Sequence, residues 1–165
     1  GYTVRWASAI VGPDGRAVGI DLAPEMVTRA QAASEGLGNV AFHQAAFPAH
    51  PLERGTFDGI FSMEVLYYLP DVHAGLAEIA ALLAPGGRFA CLVDYYRENP
   101  DSHGWPDDLG CPMALLSMEG WRGAFGAAGL DVVEQQCVQY PLAEGEEPSW
   151  KHTQGSLLTL GALRG

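Results

Sequence analysis

The sequence predicts an α/β fold, a Rossmann-like doubly wound sheet with helices on both faces, and three observations carry that expectation. Short apolar runs of strand length alternate with stretches whose apolar residues recur at helical spacing. Glycine- and proline-rich turns separate the two kinds of segment. The 165 residues, 48% of them hydrophobic, suit one domain with one sizeable core, and no linker, low-complexity tract or repeat divides them.

Residues 2–11 read as a helix stopped by Gly12-Pro13-Asp14-Gly15. Residues 17–22 (AVGIDL) form an apolar run suited to a buried parallel strand. Pro24 then opens a helix that ends near Glu35-Gly36, because proline is tolerated at a first helical position. Residues 39–43 and 57–62 are further strands. Asp71 is a helix N-cap, with Val72, Leu76, Ile79 and Leu83 on one face behind it. Pro85-Gly86-Gly87 stops that helix and residues 88–94 (RFACLVD) form a strand. Ser117 caps a helix that buries Trp121, Phe125 and Ala128 and ends at Gly129. Residues 130–138 and 156–163 are two final strands, joined by an acidic stretch without a clear helix, so an antiparallel pairing is expected of them.

The balance of 20 acidic against 9 basic residues gives a formal charge of −11. Such a surface repels phosphate, which argues against nucleic acid and against an anionic membrane as partners. No stretch approaches the roughly 20 apolar residues of a membrane span, and no signal-like leader opens the sequence. Cys91, Cys111 and Cys137 stand apart, without metal-ligand spacing to any histidine, so no metal is expected and a reducing cytoplasm fits best. No Ser/His/Asp order, phosphate-binding loop or paired-carboxylate arrangement stands out.

In doubly wound sheets ligands bind beyond the carboxyl ends of the strands, so residues following each strand are the candidates. Asp21 suits either of two roles, gripping both hydroxyls of a ribose or capping the next helix. Leu22 follows it, and Met26, one turn on, can cover a flat ring or fill the core. Ser62-Met63-Glu64 follows the 57–62 strand, where a polar backbone turn can face a ligand's amino-acid end or Ser62 can simply turn the chain. Tyr95 and Tyr96 follow the 88–94 strand and can wall a substrate pocket or pack the sheet edge.

Together these segments resemble the class I S-adenosylmethionine-dependent methyltransferases of the broad small-molecule group. Residues 12–26 (GPDGRAVGIDLAPEM) are similar to the family's second motif, and 56–62 (TFDGIFS) to its fourth-strand motif. Residues 65–71 (VLYYLPD) resemble the segment leading into the next helix, and 82–89 (LLAPGGRF) the turn into the fifth strand. The resemblance implies a seven-stranded sheet with a reversed last strand. It also implies that the family's first strand and glycine-rich loop precede this sequence, with Gly1 at the end of that loop, so that residues 1–165 are one N-terminally incomplete domain. It assigns the ribose to Asp21. Cofactor contacts then fall on Gly1, Asp21, Leu22, Met26, Ala46, Phe47, Ser62 and Met63. Ala46-Phe47 stands where the family has Asp-Ala, so the carboxylate for the adenine amino group is replaced and the Phe47 N–H is left to meet the ring.

The functional expectation is methyl transfer from S-adenosylmethionine to a small-molecule substrate by a monomer or homodimer. Alignment and desolvation can carry most of such a transfer, because the sulfonium is already a good leaving group. For a hydroxyl acceptor, Tyr67 or His103 are the candidate bases. For an amine or carbon acceptor the acidic and aromatic lining could instead hold a cation or an apolar ring. The segment 94–105 (DYYRENPDSHGW) is expected to bring Tyr95, Tyr96 and His103 to the acceptor, beside Tyr67, with residues 99–112 as a partial lid. Two alternatives remain: a non-catalytic binding or regulatory domain on the same fold, and a nicotinamide-dependent oxidoreductase, for which only Lys151 offers a catalytic lysine.

Overall fold

A computed structural model describes residues 1–165, which separate into two compact units, 1–52 and 53–165. The sequence treats the chain as one domain. In the structure each unit has its own sheet.

The first unit comprises α1 (Tyr2–Val11), β1 (Ala17–Asp21), α2 (Pro24–Ala33) and β2 (Val40–Gln44), with β1 and β2 parallel and Asp21 level with Gln44. Asn39 closes the end of α1. Its side-chain amide donates to Ser8 O (3.2 Å) and Gly12 O (2.8 Å), and accepts from the buried Ser8 hydroxyl (3.1 Å). Those bonds satisfy carbonyls that a helix end leaves without an internal partner. Ala17, Val27 and Ala30 form the small core. On α1, by contrast, Tyr2, Trp6 and Ile10 recur every fourth residue and are exposed.

The second unit contains β3 (Phe57–Met63), α3 (Val72–Leu82), β4 (Leu83–Val93), α4 (Trp105–Leu109), α5 (Met118–Ala127), β5 (Leu130–Val138), α6 (Trp150–Thr153) and β6 (Ser156–Leu163), with 3-10 turns at Leu66–Tyr68 and Pro100–Ser102. Its sheet order is β3-β4-β6-β5; β3 and β4 are parallel, while β6 runs antiparallel to both neighbours. The reversed last strand is therefore present, and with it the α/β architecture expected from the sequence. Leu76, Ile79, Phe89, Phe125, Trp121, Leu130 and Leu157 are buried together, with the Phe89 and Phe125 rings stacked at 5.3 Å. Burying each such side chain contributes on the order of 1.5–3 kcal/mol.

Both expected caps form: Asp71 accepts from the Ala74 N–H (3.0 Å) and Ser117 from the Gly120 N–H (3.0 Å). β4 departs from expectation at its start. It begins at Leu83, which pairs with Phe57, and the register slips before Gly59 meets Arg88. Pro85-Gly86-Gly87 thus forms an irregular bend within a strand rather than a separate helix stop. At Gly87 a Cβ would sit 2.9 Å from Phe57 O, so that close approach requires glycine.

Candidate functional site

Each unit presents chemistry at the carboxyl ends of its parallel strands. In the first unit, Asp21 ends β1 and is exposed. Its Oδ1 accepts the Ala23 N–H at 2.9 Å, which leaves the second carboxylate oxygen open. Ala23, not Asp21, occupies the N-cap of α2, so the carboxylate steadies the turn without being the cap. Leu22 and Met26 are 68% and 44% exposed, so Met26 is not core filling.

Beyond β2, the Ala45 N–H donates to Asp21 O (3.0 Å), which holds the two strand ends together. Ala46 is exposed and Phe47 half-buried, its ring stacked on His50 at 5.5 Å. No backbone carbonyl accepts from the Phe47 N–H. Gly1 sits at the N-terminus of α1, packed so that a Cβ would lie 2.6 Å from the Ala30 Cβ. A surface hollow lined by Arg5, Ser8, Pro13, Leu37 and Asn39 opens at the amino ends of β1 and β2, the ends opposite Asp21.

In the second unit, β3 leads through Ser62, half-buried, and Met63, 46% exposed, into Glu64. Glu64 is the only non-glycine residue with positive φ, 58°. A left-handed conformation costs about 1–2 kcal/mol for an ordinary residue. Its side chain explains how the position is held. One oxygen accepts the Tyr67 hydroxyl at 2.5 Å and the other accepts the Asp94 N–H at 2.7 Å. The backbone N–H donates to Leu92 O at 3.0 Å, continuing the β3–β4 ladder. One carboxylate thus ties the ends of β3 and β4 to the 3-10 turn.

Burial, and then the nearby charge of Asp94, raise the Glu64 carboxyl to about 7, although the bonds from Tyr67 and Asp94 pull the other way. Burial also pushes the Tyr67 hydroxyl well above its usual value, and its bond to Glu64 adds to that. Asp94 keeps one buried oxygen, Oδ1, without a hydrogen-bond partner. Asn99, fully buried, donates to Asp94 O at 2.9 Å.

The aromatic residues divide. Tyr95 is 4% exposed, its ring 5.6 Å from Tyr67 and 6.4 Å from Trp105. Tyr96 is fully buried and its hydroxyl donates to Gly155 O at 3.0 Å, so it anchors the chain beyond β4 to the start of β6. His103 is exposed, with Nε2 3.0 Å from Arg97 O. Tyr67 and Tyr95 are therefore brought together, while Tyr96 and His103 are engaged elsewhere. The sequence places Glu64 only in the turn after a strand end and gives its side chain no role of its own.

Among His, Cys, Asp and Glu side chains, no group of three is placed to hold a metal ion, and no helix is long and apolar enough to cross a membrane.

Residues 1–91 match the family model described as a methyltransferase domain. A chain from the complex between the Haloferax volcanii Trm112 methyltransferase activator and a methyltransferase is 36% identical, with a TM-score of 0.83 over 92% of this chain and 73% of that one. An S-adenosylmethionine-dependent methyltransferase from Mesorhizobium loti shares the fold, with a TM-score of 0.77 at 19% identity over 98% of this chain and 86% of that one. The demethylmenaquinone methyltransferase of Lactococcus lactis is 36% identical over 87 residues, 52% of this chain and 34% of that protein. The chain thus spans about a third of the length of this curated relative.

Proposed function

Because the chain belongs to the methyltransferase domain family, we propose that it binds S-adenosylmethionine and moves its methyl group to a small-molecule acceptor. The observation that carries the reading is the end of β1. There an exposed acid with one open oxygen stands beside two exposed apolar side chains, Leu22 and Met26. That donor set fits an adenosine: a carboxylate for the ribose hydroxyls, apolar atoms for the ring, and the open Phe47 N–H for a ring nitrogen. Ala46 brings no carboxylate to the adenine amino group, so Asp21 carries most of the polar recognition. Ser62 and Met63 are assigned to the cofactor's amino-acid end, and Gly1 to its loop side. When bound, the cofactor supplies an activated methyl group on a positively charged sulfur. Tyr67, Tyr95, Tyr96 and His103 are the acceptor candidates; the Tyr67 and Tyr95 rings lie 5.6 Å apart, while the Tyr67 hydroxyl is bonded to Glu64 and the Tyr96 hydroxyl to Gly155 O.

Isothermal calorimetry with S-adenosylmethionine and S-adenosylhomocysteine tests this. Asp21→Ala should weaken binding by about 1.5–3 kcal/mol, the range for a hydrogen bond to a charged group. The melting temperature should change little, because the residue is exposed and not the helix cap. Normal affinity in a folded Asp21→Ala variant overturns the assignment. The Lactococcus relative acts on demethylmenaquinone by its name, which supports a small organic acceptor here.

The Haloferax relative supports a second proposal, that this chain also takes an activator protein of the Trm112 kind. Light scattering of the chain with and without such a protein distinguishes that from a monomer or homodimer acting alone.

A further inference from the structure

We propose that the surface hollow of the first unit is a second binding site, one that takes a small organic molecule carrying a single carboxylate. The inference goes beyond the methyl-transfer reading and does not rest on it, because every residue it uses lies between Arg5 and Asn39.

The hollow has a volume of about 580 Å³ and opens at the amino ends of β1 and β2, away from Asp21. Its walls are the later turns of α1, the Gly12-Pro13 bend and the turn from α2 into β2. That frame is fixed from within. Asn39 spends both amide hydrogens on Ser8 O and Gly12 O and accepts the Ser8 hydroxyl, so it holds the wall and has no side-chain donor left for a ligand.

Arg5 is the one charged residue in the lining. Its Nη1 donates to Ala33 O at 3.2 Å, which braces α1 against the end of α2. A guanidinium carries five N–H donors, yet Arg5 makes no second hydrogen bond and no ion pair. Its Nε is buried without an acceptor. Gly38 and Asn39 also line the hollow, and their backbone N–H groups bond to nothing in the protein. The lining thus has donors in surplus, one uncompensated positive charge and no carboxylate. Such a concavity attracts an anion.

The acidity of the chain does not oppose this. Residues 1–52 carry three arginines against four carboxylates, so nearly all of the acidic excess lies in 53–165. One guanidinium balances one negative charge, and its planar fork matches the two oxygens of a carboxylate. Ala9, Pro13 and Leu37 give the rest of the wall an apolar character, which suits an organic body and not a bare ion.

The test titrates the 15N-labelled chain with benzoate, benzamide and inorganic phosphate, followed by the amide and arginine Nε resonances. Benzoate should bind saturably and shift Gly38, Asn39 and the Arg5 Nε–H. Benzamide, of the same shape without the charge, should bind roughly tenfold or more weakly. Two substitutions at Ala9 separate charge from bulk. Ala9 is exposed on α1, four residues beyond Arg5. Ala9→Glu therefore sets a carboxylate beside the guanidinium and should abolish benzoate binding, while Ala9→Gln, of the same size, should keep most of it. Arg5→Gln should abolish it as well. Circular dichroism checks each fold, and the Ala9 pair carries the test if Arg5→Gln does not fold. Equal affinity for benzoate and benzamide, tighter binding of phosphate than of benzoate, or no saturable shift overturns the inference. So does an equal loss in both Ala9 variants, or full binding by a folded Arg5→Gln.

Discussion

Replacing Glu64 by glutamine removes a titration whose effect on stability can be worked out from its surroundings. The folded carboxyl sits at about 7 against a usual 4.5, chiefly because burial disfavours its charge. A carboxyl raised by folding stabilises the native state fully below its unfolded value, and that contribution is lost as pH climbs through the folded value. The window therefore runs from about pH 4.5 to pH 7. At 1.36 kcal/mol per pH unit the gap would be worth about 3 kcal/mol; Glu64 is only part-buried, and solvent screening reduces this to about 1–2 kcal/mol. Wild type should lose that amount relative to Glu64→Gln between pH 4.5 and pH 8. The comparison cancels the fixed cost of placing an amide where two donors converge, because that cost does not vary with pH. Urea unfolding of both proteins at several pH values, followed by circular dichroism, measures it. A stability difference that stays constant across the window refutes the reasoning, and with it the picture of a neutral-pH carboxyl at the end of β3.

Two more predictions follow from packing. Cys91 is buried in β4 and burial pushes its thiol far up, so iodoacetamide at pH 8 should leave it unmodified in the native protein while Cys111 and Cys137, which are less buried, react first; mass mapping of the alkylated sites checks this. Gly155 has φ 76°, and a Cβ there would lie 2.5 Å from Val138 O. Gly155→Ala should thus cost about 2–4 kcal/mol in urea unfolding, and a loss under 1 kcal/mol would mean that the β5–β6 connection yields easily.

What the sequence made legible is what local chemistry decides. Asp71 and Ser117 cap their helices through bonds to an N–H three residues on, a contact that needs no distant partner. β5 and β6 begin and end where the apolar pattern does, since turn residues bound them on both sides. The short helices α4 and α6, of five and four residues, offered no periodicity to detect. The early start of β4 was equally hidden, because it depends on Leu83 meeting Phe57 across the sheet.

The same distinction governs the candidate sites. Asp21 is a candidate from sequence because it stands at a strand end, and Leu22 and Met26 follow it as neighbours in the chain. Their exposure excludes core filling, which periodicity alone leaves open. Tyr67 looked like a base because a tyrosine beside a strand end can be one. Whether it accepts or donates a proton depends on Glu64, three residues back, where the backbone is left-handed. A helical 64–67 segment would also bring residues three apart together, but it would not hold Glu64 against the N–H of Asp94, thirty residues away. The parallel pairing of β3 with β4 supplies that second contact. The environment of Glu64 is therefore a property of sheet register, and a substitution that shifts the β3–β4 register should alter the titration of Glu64 even when Glu64 and Tyr67 are both intact.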